Sequence, residues 1–213
     1  MMKVKSLLIY ITVFLSSCRA VPALSAESRP LFERSLEAVK THVAVKTNLL
    51  YWAALVPNVG AEVSIDRRFS VSASWMYAWW SKDVSHRYYR MYGGDLEGRF
   101  YPFVKDDGPS LSGHHFGVYA AMYTYDIEFG GKGELAPRWS WSAGIGYGYT
   151  LPISRHLDLD FALQAGYLGG RYYKYRPIDN HYVWQGTHRR NYLGPTKLEV
   201  SLKWYLDASN IRR

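Results

Sequence analysis

The chain holds a single cysteine, Cys18, among 213 residues. No intramolecular disulfide can form, and a disulfide-framed secreted scaffold is excluded. Long apolar runs are also missing. The mean hydropathy is −0.24, and the longest greasy stretch, Leu7 to Leu15, is too short to cross a bilayer as a helix, which takes about 20 residues. Acidic residues are in the minority: 18 Asp and Glu stand against 26 Lys and Arg, a formal charge of +8. Without residues 1–26, which carry Lys3, Lys5 and Arg19 and no acid, the excess falls to +5. That modest charge, with no clustered basic groove, argues against nucleic acid as a partner. It suits the anionic headgroups and phosphates of outer-membrane lipid and lipopolysaccharide.

What the chain does have is aromatic rings and alternation. Phe, Trp and Tyr make up 16% of it, with 19 Tyr and 8 Trp. Such a content fits amphipathic rings placed at two membrane interfaces. The segment 157–169 sets Leu157, Leu159, Phe161, Leu163, Ala165 and Tyr167 on one face and Asp158, Asp160, Ala162, Gln164 and Gly166 on the other. A period of two marks a strand whose faces meet different surroundings. Its length exceeds that of ordinary strands, about five or six residues, and covers the roughly nine to eleven needed by a tilted membrane strand.

The N-terminus reads as an export signal over 1–26: Lys3 and Lys5, a short apolar run, then small residues. Two processing routes stay open. Leu15-Ser16-Ser17-Cys18 resembles a lipobox that would lipidate Cys18, whereas Ala20, Ala23 and Ala26 offer ordinary cleavage sites. Residues 27–42 do not alternate and read as a periplasmic linker or short helix, with Pro30 suited to a first helical turn. Alternation then predicts eight strands, at about 43–52, 58–65, 69–80, 91–103, 114–126, 139–151, 157–169 and 196–206, followed by a tail at 207–213. The expected fold is all-β: an eight-stranded antiparallel up-and-down transmembrane β-barrel over 43–206, monomeric, in a bacterial outer membrane. Closure follows because an open edge in lipid would leave backbone groups unpaired. With both termini periplasmic, Asp66-Arg67-Arg68 and Pro152 to His156 make short inner turns, and 81–90, 127–138 and 175–194 make longer outer loops.

By parity, Lys46, Glu62, Asp95, Glu97, Arg99, Asp158, Asp160, Glu199 and Lys203 fall on inward faces. Eight strands leave no open channel, so these charges are expected to pair with one another as salt bridges filling the lumen. A proton or ion path is the functional alternative. His114 and His115 are adjacent, hence on opposite faces, and cannot readily share a metal. No metal or other cofactor is expected. The last outer loop combines Arg176, Arg189 and Arg190 with Tyr182 and Trp184, a mixture suited to glycolipid phosphates, a sugar or a protein ligand.

Val45-Lys46-Thr47-Asn48-Leu49-Leu50-Tyr51-Trp52, then Pro57-Asn58-Val59-Gly60-Ala61-Glu62, and later Arg99-Phe100-Tyr101-Pro102-Phe103, resemble an uncharacterised family of Bacteroidetes outer-membrane proteins. The resemblance covers about 43–206. It implies no activity and no catalytic residue. Members often accompany genes for fimbria-like surface structures, which implies a surface-appendage protein as partner. The function expected is therefore structural, anchoring or surface-binding. The alternative is a lipid-modifying enzyme, which would need a nucleophile and base within hydrogen-bond reach.

Overall fold

The computed structural model describes residues 42–82, 87–103, 111–178 and 181–206. The signal segment, Cys18, the linker up to residue 41 and the tail 207–213 lie outside the described residues. The described chain runs β1 (Val43–Asn48), α1 (Leu49–Ala53), β2 (Asn58–Ser64), β3 (Phe69–Lys82), β4 (Arg87–Phe100), β5 (Gly113–Phe129), β6 (Lys132–Leu135), β7 (Ser140–Pro152), β8 (Leu157–Ile178) and β9 (His181–Tyr205).

All strands belong to one antiparallel sheet of nine strands arranged in a ring. Successive long strands pair with one another, and β9 pairs back onto β1 through Ala44↔Tyr205 to Asn48↔Ser201. The short β6 sits between the ends of β5 and β8. The count is nine rather than the eight that alternation predicts, because the expected loop 127–138 is partly strand. Gly130 and Gly131 both have positive φ, 64° and 71°, the backbone of a two-residue hairpin turn whose twist matches its flanking strands. That turn folds β6 back along β5.

Two further boundaries differ from expectation. The first strand stops at Asn48 rather than at 52. The Asn48 side chain accepts a hydrogen bond from the backbone N–H of Leu50 at 3.0 Å, capping the single helical turn α1. The expected loop 175–194 is strand almost throughout, since β8 and β9 continue past the ring as a long hairpin arm from Arg171↔Arg189 to Ile178↔His181.

The side-chain distribution is inverted relative to a water-soluble domain. Outward positions are apolar and open: Ile145 is 69% exposed and Val118 65%, and Val59, Leu96, Leu163 and Leu198 are alike. Inward positions are mostly polar and closed: Arg99, Glu62, Asp160 and Lys203 lie at or below 2%. Among the described residues, buried apolar side chains gather in one small cluster, Ala44 with Tyr205, in place of the extended apolar core that normally offsets the entropy of folding. Rings gather toward two levels of the outer wall. Phe69, Phe100 and Phe116 face one another across neighbouring strands near the end of the ring that holds Val43 and Tyr205, and Trp75, Trp79 and Trp141 lie toward the end that carries the arm. Val71, Ala73, Leu96, Val118, Ala120 and Ile145 fill the wall between them.

Candidate functional site: the charged interior and the hairpin arm

The strand pleat aims every second side chain into the ring, and register then decides which charges meet. Arg99 of β4 is the hub. Its Nη1 lies 2.7 Å from Asp160 Oδ2 and 3.3 Å from Glu62 Oε2, and its Nη2 lies 2.8 Å from Glu97 Oε2 and 3.4 Å from Glu199 Oε1. A planar guanidinium with donors on two sides can serve several carboxylates at once, as an ammonium cannot. Lys203 reaches Glu62 at 2.9 Å and Asp160 at 3.4 Å. Lys46 reaches Glu199 at 2.9 Å across the β1–β9 seam. Hydroxyls take up the remaining lone pairs. Ser70 donates to Glu62 at 2.8 Å, Tyr101 to the same oxygen at 3.1 Å, Thr150 to Asp160 at 2.6 Å and Ser201 to Glu199 at 2.7 Å.

The structure thus brings Lys46, Glu62, Asp95, Glu97, Arg99, Asp160, Glu199 and Lys203, eight of the nine expected interior charges, into contact with an opposite charge. Asp95 meets Lys197 at 2.9 Å, and Asp158 is buried toward the other end of the ring, opposite Lys203 in register. Lys197 was missing from the expected set although it shares the parity of Glu199 and Lys203, and it also approaches Glu199 at 3.0 Å. His115 points inward and meets Asp160 at 2.9 Å, while His114 faces out and bonds the Tyr147 hydroxyl at 2.7 Å. Among the described residues, no group of three or more His, Cys, Asp or Glu is placed to hold a metal ion.

The corner between β1 and β2 explains a sequence string. Asn48 N–H donates to Asn58 Oδ1 at 2.7 Å, and Asn58 Nδ2 donates back to the Asn48 carbonyl at 3.0 Å. Thr47 Oγ1 donates to the Asn58 carbonyl at 2.9 Å and accepts from Trp52 Nε1 at 2.7 Å. At Gly60 a Cβ would sit 2.7 Å from the Ala73 carbonyl oxygen and 2.9 Å from Ser74 Cβ, so only glycine fits between these strands. Lys46 and Glu62, either side of this clasp, supply two of the interior charges. The string Lys46-Thr47-Asn48 … Asn58-x-Gly60-x-Glu62 is a folding signal for this corner and the network beneath it.

That string lies within the region shared with a family of proteins. The family model described as a protein of unknown function, DUF3575, matches residues 28–206. The chain belongs to the DUF3575 family. No curated protein and no solved structure matches it.

The five residues expected to form a surface patch on this DUF3575 chain are divided by the arm. Tyr182 and Trp184 line a cleft of about 360 Å³ with Tyr88, Tyr173 and Tyr175. The hydroxyls of Tyr88 and Tyr182 bond one another, and the Tyr175 and Tyr182 rings meet edge to face at 5.4 Å. Arg90 closes one side, its guanidinium 4.3 Å from the Tyr88 ring centre and 5.0 Å from that of Trp79, with Asp126 at 3.7 Å. Tyr175 donates to Asp126 at 2.6 Å. Burial, together with that acceptor carboxylate, holds the Tyr175 phenol well above the ordinary range. Arg190 is elsewhere: it lies 3.3 Å from Glu134 and over the rings of Tyr172 and Tyr125. Arg176 and Arg189 are exposed. Arg90, Asp126 and Tyr175 were missed because their meeting depends on the β4–β5–β6–β8 register, in which Arg90 stands opposite Asp126. No spacing within the chain announces it.

Proposed function

We propose that this chain is an outer-membrane β-barrel that anchors and presents the β8–β9 arm at the cell surface, in a structural or binding role accessory to a surface appendage. The observation that carries the reading is the inversion of the wall. A ring with Ile145, Val118 and Leu96 open to the outside and Arg99, Asp160 and Lys203 closed inside would be unstable in water and is matched to lipid, where apolar outward residues cost nothing and backbone groups must pair within the sheet. The spacing of the two aromatic levels supports it. From Phe69 to Trp75 is six residues and to Trp79 ten, which at about 3.3 Å per residue and a tilt of about 40° spans roughly 15–25 Å along the barrel axis, reaching the height of a barrel's apolar band at Trp79. No described helix is long and apolar enough to cross a membrane, so the strands would do the crossing.

In this reading the Val43 and Tyr205 end faces the periplasm and the arm projects outward, carrying its aromatic cleft above the lipid. The barrel is a monomer, and the arm is the contact for lipopolysaccharide or an appendage protein. Membrane fractionation together with gel mobility tests it. The protein is expected in the outer membrane, running faster unheated than boiled because the closed sheet resists unfolding. Recovery as a detergent-free soluble monomer refutes it. Turnover of lipid by the purified barrel would move the assignment to the enzyme alternative.

A further inference from the structure

The interior is not filled evenly along its length. Toward the end that holds Val43 and Tyr205, Arg99, Lys203, Glu62 and Asp160 close it. Toward the arm, small residues stand where large ones would meet: Gly94, Ala121 and Ser142 line a cavity of about 300 Å³, walled by Tyr51, Tyr123 and Met91. Its floor carries polar atoms without partners among the described residues. Gln164 is completely buried, and neither its side-chain oxygen nor its nitrogen makes a hydrogen bond. Asp95 uses Oδ1 for Ser74 and Lys197, while its Oδ2 has no hydrogen bond. A buried polar group left unpaired is costly, so this floor is poised for something that both donates and accepts.

We propose that this cavity is a binding site for one neutral sugar ring. The chemistry selects the class. A free anion is repelled by Asp95, and a free cation by Lys197, which lies 2.9 Å from it; the two charges already balance one another. A sugar hydroxyl donates to a carboxylate oxygen and accepts from an amide N–H with the same oxygen atom, so neighbouring hydroxyls satisfy Asp95 Oδ2 and both ends of Gln164 once these two buried side chains turn toward the cavity they line. The apolar faces of the ring then lie against the tyrosine and methionine wall. The volume is at the lower end of small-molecule pockets, roughly 300–1,000 Å³, which admits a single ring and excludes a chain. The inference rests on the fold and not on the membrane reading.

The test uses the full chain refolded in a sugar-free detergent, lauryldimethylamine oxide, with folding checked by the heat-dependent gel shift. Glucose, galactose, mannose, fucose and N-acetylglucosamine are titrated by saturation-transfer NMR. At least one is expected to saturate with a Kd of about 10 mM or tighter, equivalent to about −3 kcal/mol or more. Gln164→Leu is expected to weaken it at least tenfold, and Ala121→Phe, which fills the cavity, to abolish it. Arg155→Ser, in the exposed turn between β7 and β8, is expected to leave it unchanged. Gln164→Leu breaks no side-chain hydrogen bond of the folded chain, so it remains decisive if Ala121→Phe does not fold. Saturation by none of the five sugars, or equal affinity in wild type and Gln164→Leu, would mean that the cavity holds only water and overturns the proposal.

Discussion

Removing the guanidinium of Arg99 should be among the most damaging single changes available to this fold. Arg99→Met keeps most of the side-chain volume and deletes one of four cations, Lys46, Arg99, Lys197 and Lys203, that hold the paired interior together. Glu97 loses its short 2.8 Å partner and Asp160 its 2.7 Å one, whereas Glu62 keeps Lys203 and Glu199 keeps Lys46 and Lys197. Two carboxylates are thus chiefly affected, and only Asp160 retains another cation, Lys203 at 3.4 Å. Breaking a buried pair from one side costs about 3–5 kcal/mol, because the charge left behind is still desolvated. The reference is Val118→Ala on the outer wall, where two methyls leave a surface already in contact with detergent or lipid and the loss should stay below about 1 kcal/mol. Urea unfolding of the refolded protein in lipid vesicles, followed by tryptophan emission, measures both. A second variant separates charge from packing: adding Glu97→Gln to Arg99→Met should recover about 1–2 kcal/mol, since one of the orphaned charges is then gone. Equal midpoints for Arg99→Met and Val118→Ala, or strict additivity in the double variant, would refute the idea that interior pairing specifies this ring.

Three further outcomes follow from single contacts. Asn48→Ala and Asn58→Ala should each cost about 1–2 kcal/mol, the scale of a lost cap or buried hydrogen bond, and the pair should cost less than their sum because the clasp is mutual; the same urea assay reads this. Gly131→Val, at a φ of 71°, should loosen the β5–β6 hairpin and raise amide exchange at Lys132 to Leu135 while leaving β7 protected. Tyr175 carries a folded-state phenol pKa above the unfolded value, so its contribution is full below about pH 10 and is lost as pH rises from there through the folded value. Arm docking, read by exchange at Tyr173 to Arg176, should therefore weaken above about pH 10, and Tyr175→Phe should flatten that dependence.

How far the residues disclose the fold depends on whether the two faces of a strand meet different surroundings. In Leu157 to Leu163 they do, and alternation is strict. In the arm both faces of Tyr175 to Ile178 and of His181 to Tyr192 are largely open, so no period of two is imposed and these stretches read as loop although their backbone is paired. Pro177 strengthens that misreading, yet it sits near the tip of the arm, where an extended strand tolerates it. The end of β1 misleads in the opposite sense. Leu49 and Tyr51 continue the apolar parity of Val45, and only the side chain of Asn48, turned onto the Leu50 N–H, converts the run into a helical turn. Parity identifies which charges face inward, but register identifies their partners. Lys46 meets Glu199 and Arg99 meets Asp160 across sequence separations of 153 and 61 residues, which no local pattern encodes.

The distribution of interior charge limits where this chain can act. An open ion path through the ring would need mobile, hydrated groups along its whole length, but Arg99, Asp160 and Lys203 are each held by two or more opposite or hydroxyl partners and reached by almost no solvent. A side chain fixed in that way is costly to move, because any displacement leaves a desolvated charge unpaired. The closed half of the ring therefore acts as a rigid floor. Above it, the structure has space bordered by unpaired polar atoms at Gln164 and Asp95, and above that an arm whose aromatic cleft is built from five strands. Under the proposed orientation, recognition belongs to this end, and the charged floor serves it by holding β4, β8 and β9 in the register that brings Arg90, Asp126, Tyr175 and Tyr182 together. Arg99→Met in a background that still folds should then disturb contacts at the arm only by way of strand register. Wild-type amide exchange at Tyr173 to Arg176 in such a variant would show that floor and arm are independent.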